Sequence, residues 1–240
     1  MNFALVESWP ELASTNDRVR QLAELGAAEG SSVVADRQSG GRGRLGRAWH
    51  SPSGGLWVST LLRPDQADGI SLLGALACRR ALAGFGFECR VRWPNDLLLA
   101  GKKVAGVLVE TRLRGARCDF AVLGLGLNVA VTEFPDELSE IATSLALQGE
   151  APPRETLLAS YIKHLESLYQ ELRSHGMGSL VSQANAHLDL VGQPIELELG
   201  EQKITGRLAG LDPRGGLVLA DGRVYYSAER LRPAGPILDD

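Results

Sequence analysis

The chain is poor in the residues that carry several common chemistries. Its three cysteines, Cys78, Cys89 and Cys118, are odd in number and show no C-x-x-C spacing. That pattern argues against a disulfide framework and against a structural zinc site, and it predicts free thiols. The four histidines, His50, His164, His175 and His187, have no metal-ligand spacing. His164 and His175 read as exposed helix residues, and His50 is left without a role. There is no G-x-S-x-G nucleophile elbow and no Ser/His/Asp set. No apolar run approaches the roughly 20 residues needed to span a bilayer. Glu7 and Pro10 break the N-terminal apolar residues too early for a secretory signal. The chain also lacks a positive excess: 25 basic residues face 29 acidic ones, a net charge of −4. A general nucleic-acid or anionic-membrane binder is therefore not expected. These absences predict a cytoplasmic protein with no nucleic-acid or membrane partner.

What is present is an ordinary soluble composition, 44% hydrophobic and 22% charged over 240 residues. That suffices for one large domain, or for a main domain with a small one. Apolar spacing predicts helices from Ser14 to Leu25, from Ile70 to Ala83 and, most clearly, over 154–175, with Gly176 as a stop. Short strands are expected at 2–7, 31–35, 56–62, 90–93 and 119–125, with a hairpin joining 97–99 to 104–110. After residue 190 the pattern changes to short alternating strands separated by Gly and Asp turns, the style of a small β-barrel. The fold class read from this is α+β, with domains at 1–188 and 189–240.

Residues 41–46, Gly-Arg-Gly-Arg-Leu-Gly, match G-x-G-x-x-G. A dinucleotide fingerprint needs a helix to begin within the motif, yet Pro52, Gly54 and Gly55 follow closely. No Gly-Lys-Ser/Thr makes it a P-loop either. What remains is a glycine loop carrying Arg42, Arg44 and Arg47. Glycine lets backbone approach a ligand closely, and arginine suits phosphate and carboxylate. Such dense like charge predicts a loop without order until an anion closes it.

Four segments in order resemble biotin protein ligases. They are Ser14-Thr15-Asn16; Gln38-Ser-Gly-Gly-Arg-Gly-Arg-Leu-Gly-Arg-Ala-Trp49; Arg92-Trp-Pro-Asn-Asp96 with Lys103-Val-Ala-Gly106; and Gly124-Leu-Gly-Leu-Asn128. Each piece alone is weak, but together they cover nearly the whole chain. The resemblance implies a mixed-sheet biotin/lipoate ligase catalytic domain with a C-terminal SH3-like β-barrel. It also implies a two-step activity: biotin and ATP give biotinyl-5'-AMP, then a lysine of a biotin carboxyl carrier protein takes the biotin. The family's hairpin motif usually begins with lysine, where this chain has Arg92, and the two cations differ in geometry. Only 13 residues precede Ser14, too few for the DNA-binding module of the biotin-sensing repressors, so the monofunctional type is expected. Members of the family often dimerise, though no exposed strip in this sequence shows it.

Carried residue by residue, the resemblance makes Lys103 and Arg44 catalytic, with Lys103 touching both the biotin carboxylate and the α-phosphate. Biotin contacts fall to Ser14, Thr15, Asn16, Gln38, Gly41, Arg42, Arg44, Lys103 and Gly106. ATP contacts fall to Arg42, Arg44, Arg47, Trp49, Asn95, Asp96, Lys103 and Asn128. Mg²⁺ would arrive with the ATP phosphates, Asp96 being the carboxylate at hand. Plainer readings stand beside these. Lys103 could be a solvated turn residue like Lys102, Ser14-Thr15-Asn16 could simply cap a helix, and Asn95 and Asp96 are common in turns. Trp49 suits either adenine stacking or the core, and Trp93 reads as core. Two rival functions remain: a lipoate or octanoate ligase or transferase of the same fold, and a non-enzymatic biotin-sensing regulator.

Overall fold

In a computed structural model the described residues are 3–115 and 117–234. Seven strands form the main sheet: β1 (Ala4–Leu12), β2 (Ser31–Gln38), β3 (Gly55–Leu62), β4 (Arg90–Arg92), β5 (Asp96–Leu99), β6 (Lys102–Arg114) and β7 (Arg117–Asn128). Their order is β1-β2-β3-β7-β6-β5-β4. β1 and β2 run parallel and the remaining neighbours antiparallel, so the sheet is mixed, as expected.

Period-two alternation sorts each strand onto two faces. Along β7, Ala121, Leu123, Leu125 and Leu127 join the large core beneath α2 (Ile70–Ala83), α4 (Arg154–His175) and α5 (Met177–His187). The alternate residues face the other way. There α1 (Thr15–Glu24) packs Val19 and Ala23 on Val33, Leu61, Phe120 and Val122. Ten residues make a helix of only about 15 Å, which cannot cover the whole face. Beyond its amino end the face continues as Ser59, Gly124, Gly126 and Gly106. Gly106 and Gly126 are direct cross-strand partners, so the sheet is bare there. That bare floor is where the site forms.

The C-terminal strands are β8 (Pro194–Leu199), β9 (Gln202–Leu211), β10 (Leu217–Leu219), β11 (Val224–Tyr225) and β12 (Arg230–Pro233). They form one antiparallel sheet in the order β11-β10-β9-β8-β12, with no pairing between its two outer strands among the described residues. No closed barrel is formed among the described residues, but the five-stranded antiparallel sheet is consistent with the expected SH3-like domain, and its Ile195, Leu197, Leu208 and Leu217 merge with the main core.

Some elements differ from expectation. β1 runs on to Leu12 through Pro10, which is tolerated because β1 is an edge strand and a missing N–H there breaks no ladder. Gly176, read as a stop, has φ 71° and serves as both the end of α4 and the N-cap of α5. The sequence of α5, rich in small polar residues, gives little periodic signal. A four-residue helix, α3 (Asp136–Ser139), was also not foreseen. His164 is half-buried rather than exposed. Cys78 and Cys89 are buried free thiols, and burial pushes Cys89 up to about 12, far from a reactive thiolate.

Candidate active site

Above the glycine floor lies a cavity of about 640 Å³. Its lining draws together almost every residue singled out from the sequence: Ser14, Thr15, Asn16, Gln38, Arg42, Arg44, Arg47, Trp49, Asn95, Asp96, Lys103, Gly106 and Asn128. Gly41 is the exception. A Cβ there would come within 2.5 Å of Ser51 Oγ and 2.6 Å of the Trp49 carbonyl, so this glycine lets two arms of the arginine loop pass each other rather than lining the cavity.

One end of the cavity is polar and neutral. Ser14 occupies the N-cap of α1, yet its hydroxyl makes no capping bond, so plain capping does not account for it. Ser14, Thr15 and Asn16 are all buried. Thr15 N–H donates to Gln38 Oε1 at 2.8 Å, and Gln38 Nε2 donates to Ser51 Oγ at 3.0 Å, which fixes the amide's orientation. Ser59, fully buried on β3, lies 2.7 Å from Thr15 Oγ1 and 2.6 Å from Asn16 Oδ1. Asn16 Nδ2 donates to Glu110 at 2.7 Å. Sequence reasoning missed Ser51, Ser59 and Glu110. For Ser59 and Glu110 the only available signal was a polar residue within a strand, and Ser51, in the loop between β2 and β3, gave none.

The opposite wall is cationic. The arginine loop is not the unstructured segment expected from its charge. It folds as a narrow tongue, with Arg42 bridged to Ala48 and Gly43 N–H donating to the Arg47 carbonyl at 2.7 Å. Leu45, at its tip, sits in the left-handed region with φ 57°. Local partners explain the order. Asp17 holds Arg42 with two bonds of 2.9 and 2.7 Å, which lowers the pKa of Asp17 and raises that of Arg42. Arg44 Nη2 donates to the Ala228 carbonyl at 2.9 Å, and Arg47 Nη1 to the Glu229 carbonyl at 3.2 Å. The tongue is therefore tied to the segment between β11 and β12 of the C-terminal sheet. Burial lowers the pKa of Arg44; Asp96 opposes that fall and Arg47 adds to it.

Of the cations lining the cavity, Arg42, Arg92, Lys103, Arg230 and Arg232 each pair with a carboxylate, but Arg44 and Arg47 pair with none among the described residues. Lys103 is not a solvated turn residue. Its Nζ is 2.7 Å from Asp96 Oδ2 and 4.9 Å from the centre of the Trp49 ring. Asp96 Oδ1 is buried with no hydrogen-bond partner among the described residues. Trp49 lies over the floor: a Cβ at Gly126 would meet its Nε1 at 2.4 Å, and one at Gly106 its Cζ3 at 3.1 Å. It is a cavity wall and not a core residue, and its Nε1 has no partner among the described residues. Trp93 is buried as expected, with its Nε1 donating to the Gly215 carbonyl at 2.9 Å. Asn95 steadies the hairpin by donating to the Val107 carbonyl at 2.6 Å, and Asn128 donates to the Thr143 carbonyl at 2.9 Å. Arg92 reaches Asp189 at 2.5 Å, tying β4 to the segment that leads into the C-terminal sheet. His50 also lines the cavity. Among the described residues, no cluster of three or more His, Cys, Asp or Glu side chains could hold a metal ion, and no helix is long and apolar enough to cross a membrane.

Comparison with known proteins bears on this geometry. The model of the biotin/lipoate A/B protein ligase family matches residues 10–128, and that of the biotin protein ligase C terminal domain matches residues 190–229. The chain is 31% identical over 217 residues to the biotin–[acetyl-CoA-carboxylase] ligase of Paracoccus denitrificans, covering 86% of this chain and 90% of that one. It is 34% identical over 230 residues to the bifunctional ligase/repressor BirA of Bacillus subtilis, covering 91% and 71%. The structure resembles the biotin protein ligase from Aquifex aeolicus in complex with biotin and ATP, with TM-score 0.85, 33% identity, and coverage of 96% of this chain and 99% of that one.

Proposed function

The chain belongs to the biotin/lipoate A/B protein ligase family, and on that premise we propose how its cavity carries out ATP-dependent biotin ligation. It is a biotin protein ligase. The carboxylate of biotin attacks the α-phosphorus of ATP, the bond to the β-phosphate oxygen breaks, and pyrophosphate leaves. A lysine amine of a biotin carboxyl carrier protein then attacks the acyl carbon, loses a proton and expels AMP.

The observation that carries the assignment of roles is the pair Arg44 and Arg47, two guanidinium groups on the cavity wall with no carboxylate partner among the described residues. Bringing two anions together needs positioned cations rather than a protein nucleophile. Arg44 and Arg47 exchange backbone carbonyls for carboxylate and phosphate oxygens. Lys103 places its ammonium between the two reactants, held by Asp96 against the face of Trp49. The neutral end, with Ser14, Thr15, Asn16 and Gln38, takes the ureido ring, which offers two N–H donors and a carbonyl acceptor. Trp49 and Asn128 face the adenosine. The unpartnered Asp96 Oδ1 suits Mg²⁺ brought by the ATP phosphates, which needs only one or two carboxylates.

ATP–pyrophosphate exchange with biotin, lipoate and octanoate offered separately tests the reading. Exchange with biotin alone is expected, and exchange confined to lipoate or octanoate would overturn it. A second expectation concerns the loop. Arg44 ties the tongue to the Ala228 carbonyl and lies 3.5 Å from Asn95 Oδ1. Arg44→Gly removes both ties and adds backbone freedom. The adenylate should then escape before transfer, labelling lysines of bystander proteins mixed with the enzyme. Labelling confined to the acceptor would show that retention lies elsewhere.

A further inference from the structure

The first turn of α1 spends its polar side chains outside the helix. Ser14 makes no capping bond. Asp17, the third residue of α1, stands where an acidic side chain ordinarily serves the helix's own N–H groups. Its oxygens go elsewhere, to Arg42 at 2.9 and 2.7 Å and to Arg20 at 3.0 Å. Glu110, on β6, reaches the same two arginines, 3.1 Å from Arg20 Nη2 and 3.7 Å from Arg42 Nη2. Two carboxylates from separate elements thus make a socket, and the Arg42 guanidinium fills it.

Arg42 stands at the neck of the tongue. It bridges Ala48, and beside it the Trp49 N–H donates to the Gly41 carbonyl at 2.9 Å. Arg44 and Arg47 lie beyond this neck, so its tilt decides how far they reach over the cavity. The three arginines are also held with different strength. Arg44 and Arg47 donate to neutral carbonyls. Arg42 makes two charge-assisted bonds to one carboxylate, each about twice as strong as a neutral one. An arriving anion therefore draws Arg44 and Arg47 off their partners first and leaves Arg42 seated.

We infer that Asp17 is a positioning residue: by seating Arg42 it fixes the neck of the tongue, and so sets how long the biotinyl-adenylate stays in the cavity. Arg42 is the pin of the tongue, and Arg44 and Arg47 are the cations that meet the reactants. The inference rests on the biotin reading above. It gives residues 17 and 42 a single shared role, so losing either should equal losing both. The fold tolerates their loss, because each keeps a charged neighbour when the other is changed, Asp17 with Arg20 at 3.0 Å and Arg42 with Glu110 at 3.7 Å.

The test is a double-mutant cycle of Asp17→Asn and Arg42→Gln, read as the rate at which synthetic radiolabelled biotinyl-5'-AMP leaves the loaded enzyme. Each single change should speed release about fivefold, the scale of one well-formed ion pair at partial exposure. The double variant should exceed either single by no more than about twofold, whereas independent roles would multiply to about 25-fold. In Asp17→Asn the kcat of pyrophosphate exchange should stay within about twofold of the parent's while release quickens, a split that a residue serving only the fold would not produce. Release at the parent's rate in Asp17→Asn, or multiplied effects in the double variant, overturns the inference and leaves the biotin reading intact. An effect of about 100-fold in Arg42→Gln against fivefold in Asp17→Asn does the same, because Arg42 would then hold the adenylate itself. A parent that forms no adenylate from biotin and ATP overturns the biotin reading and the inference with it.

Discussion

Lys103→Ala is expected to lower pyrophosphate exchange with biotin by about 10³-fold while leaving the fold in place, the size of effect seen when a positioned charge is taken from a developing anion. Two observations support so large an effect. The ammonium is 2.7 Å from Asp96 and lies over the Trp49 ring, so its position is set before any reactant arrives. It also shares the cavity with Arg44 and Arg47, so the site gathers cations where two anions must meet. The fold should survive because the backbone of this residue is held without the side chain. Its N–H donates to the Ile141 carbonyl at 2.8 Å, and its carbonyl accepts from Thr143 N–H at 2.9 Å. Removing the ammonium takes the ion-pair partner from Asp96, on which Arg44 still acts, and should cost about 1 kcal/mol at this partly exposed pair. Lys103→Arg should recover little, since a planar fork fits poorly between Asp96 and the indole face. Exchange within tenfold of the parent in Lys103→Ala, with a thermal transition close to the parent's, would show that the ammonium is not needed.

How much of this was legible in the sequence depends on how local each signal was. The arginine loop, the Asn95-Asp96 turn and Lys103 are contiguous motifs, and the structure gathers them at one cavity. The failure of the dinucleotide reading was legible too. Only a 3-10 turn at Arg44–Gly46 follows the glycines, and the chain is extended again by Gly55. The loop's order was not legible, because charge repulsion within it is relieved by partners far away in the chain. Asp17 meets Arg42 across 25 residues, and the Ala228 carbonyl meets Arg44 across 184. Glu110 looked like the polar end of a strand, and Ser59 a minor interruption of β3. Their importance comes from the face they share with Gly124, which α1, beginning only at Thr15, leaves partly open. Trp49 had two equal readings in sequence because an indole beside a glycine loop can turn either way. The pairing of Gly106 with Gly126 settles its place, since only a glycine pair leaves room for the ring on the sheet.

That glycine pair yields the second large effect. In Gly126→Ala the new Cβ would lie 2.4 Å from Trp49 Nε1 and 2.6 Å from its Cε2, closer than carbon tolerates, so the indole must move off the floor. In Gly106→Ala the closest atoms are Trp49 Cζ3 at 3.1 Å, Asp96 Oδ1 at 3.2 Å and Lys103 Cε at 3.2 Å, distances that small shifts of a few tenths of an ångström relieve. Neither glycine has a positive φ, so alanine meets no backbone strain at either position and should suit a strand better than glycine does. The expected result is a graded loss of activity without loss of folding. Gly126→Ala should lower kcat/KM by about 10²-fold, the scale of a displacement near 1 Å at reacting groups, and Gly106→Ala by about tenfold. Because the damage passes through one side chain, it should not add to the removal of that side chain. In a Trp49→Leu background the further cost of Gly126→Ala should shrink to about twofold, whereas independent sites would keep their separate costs. Steady-state kinetics on the four members of this cycle, with thermal unfolding alongside, decide the matter. Full additivity between Gly126→Ala and Trp49→Leu would mean that the glycine serves something other than the seat of the indole.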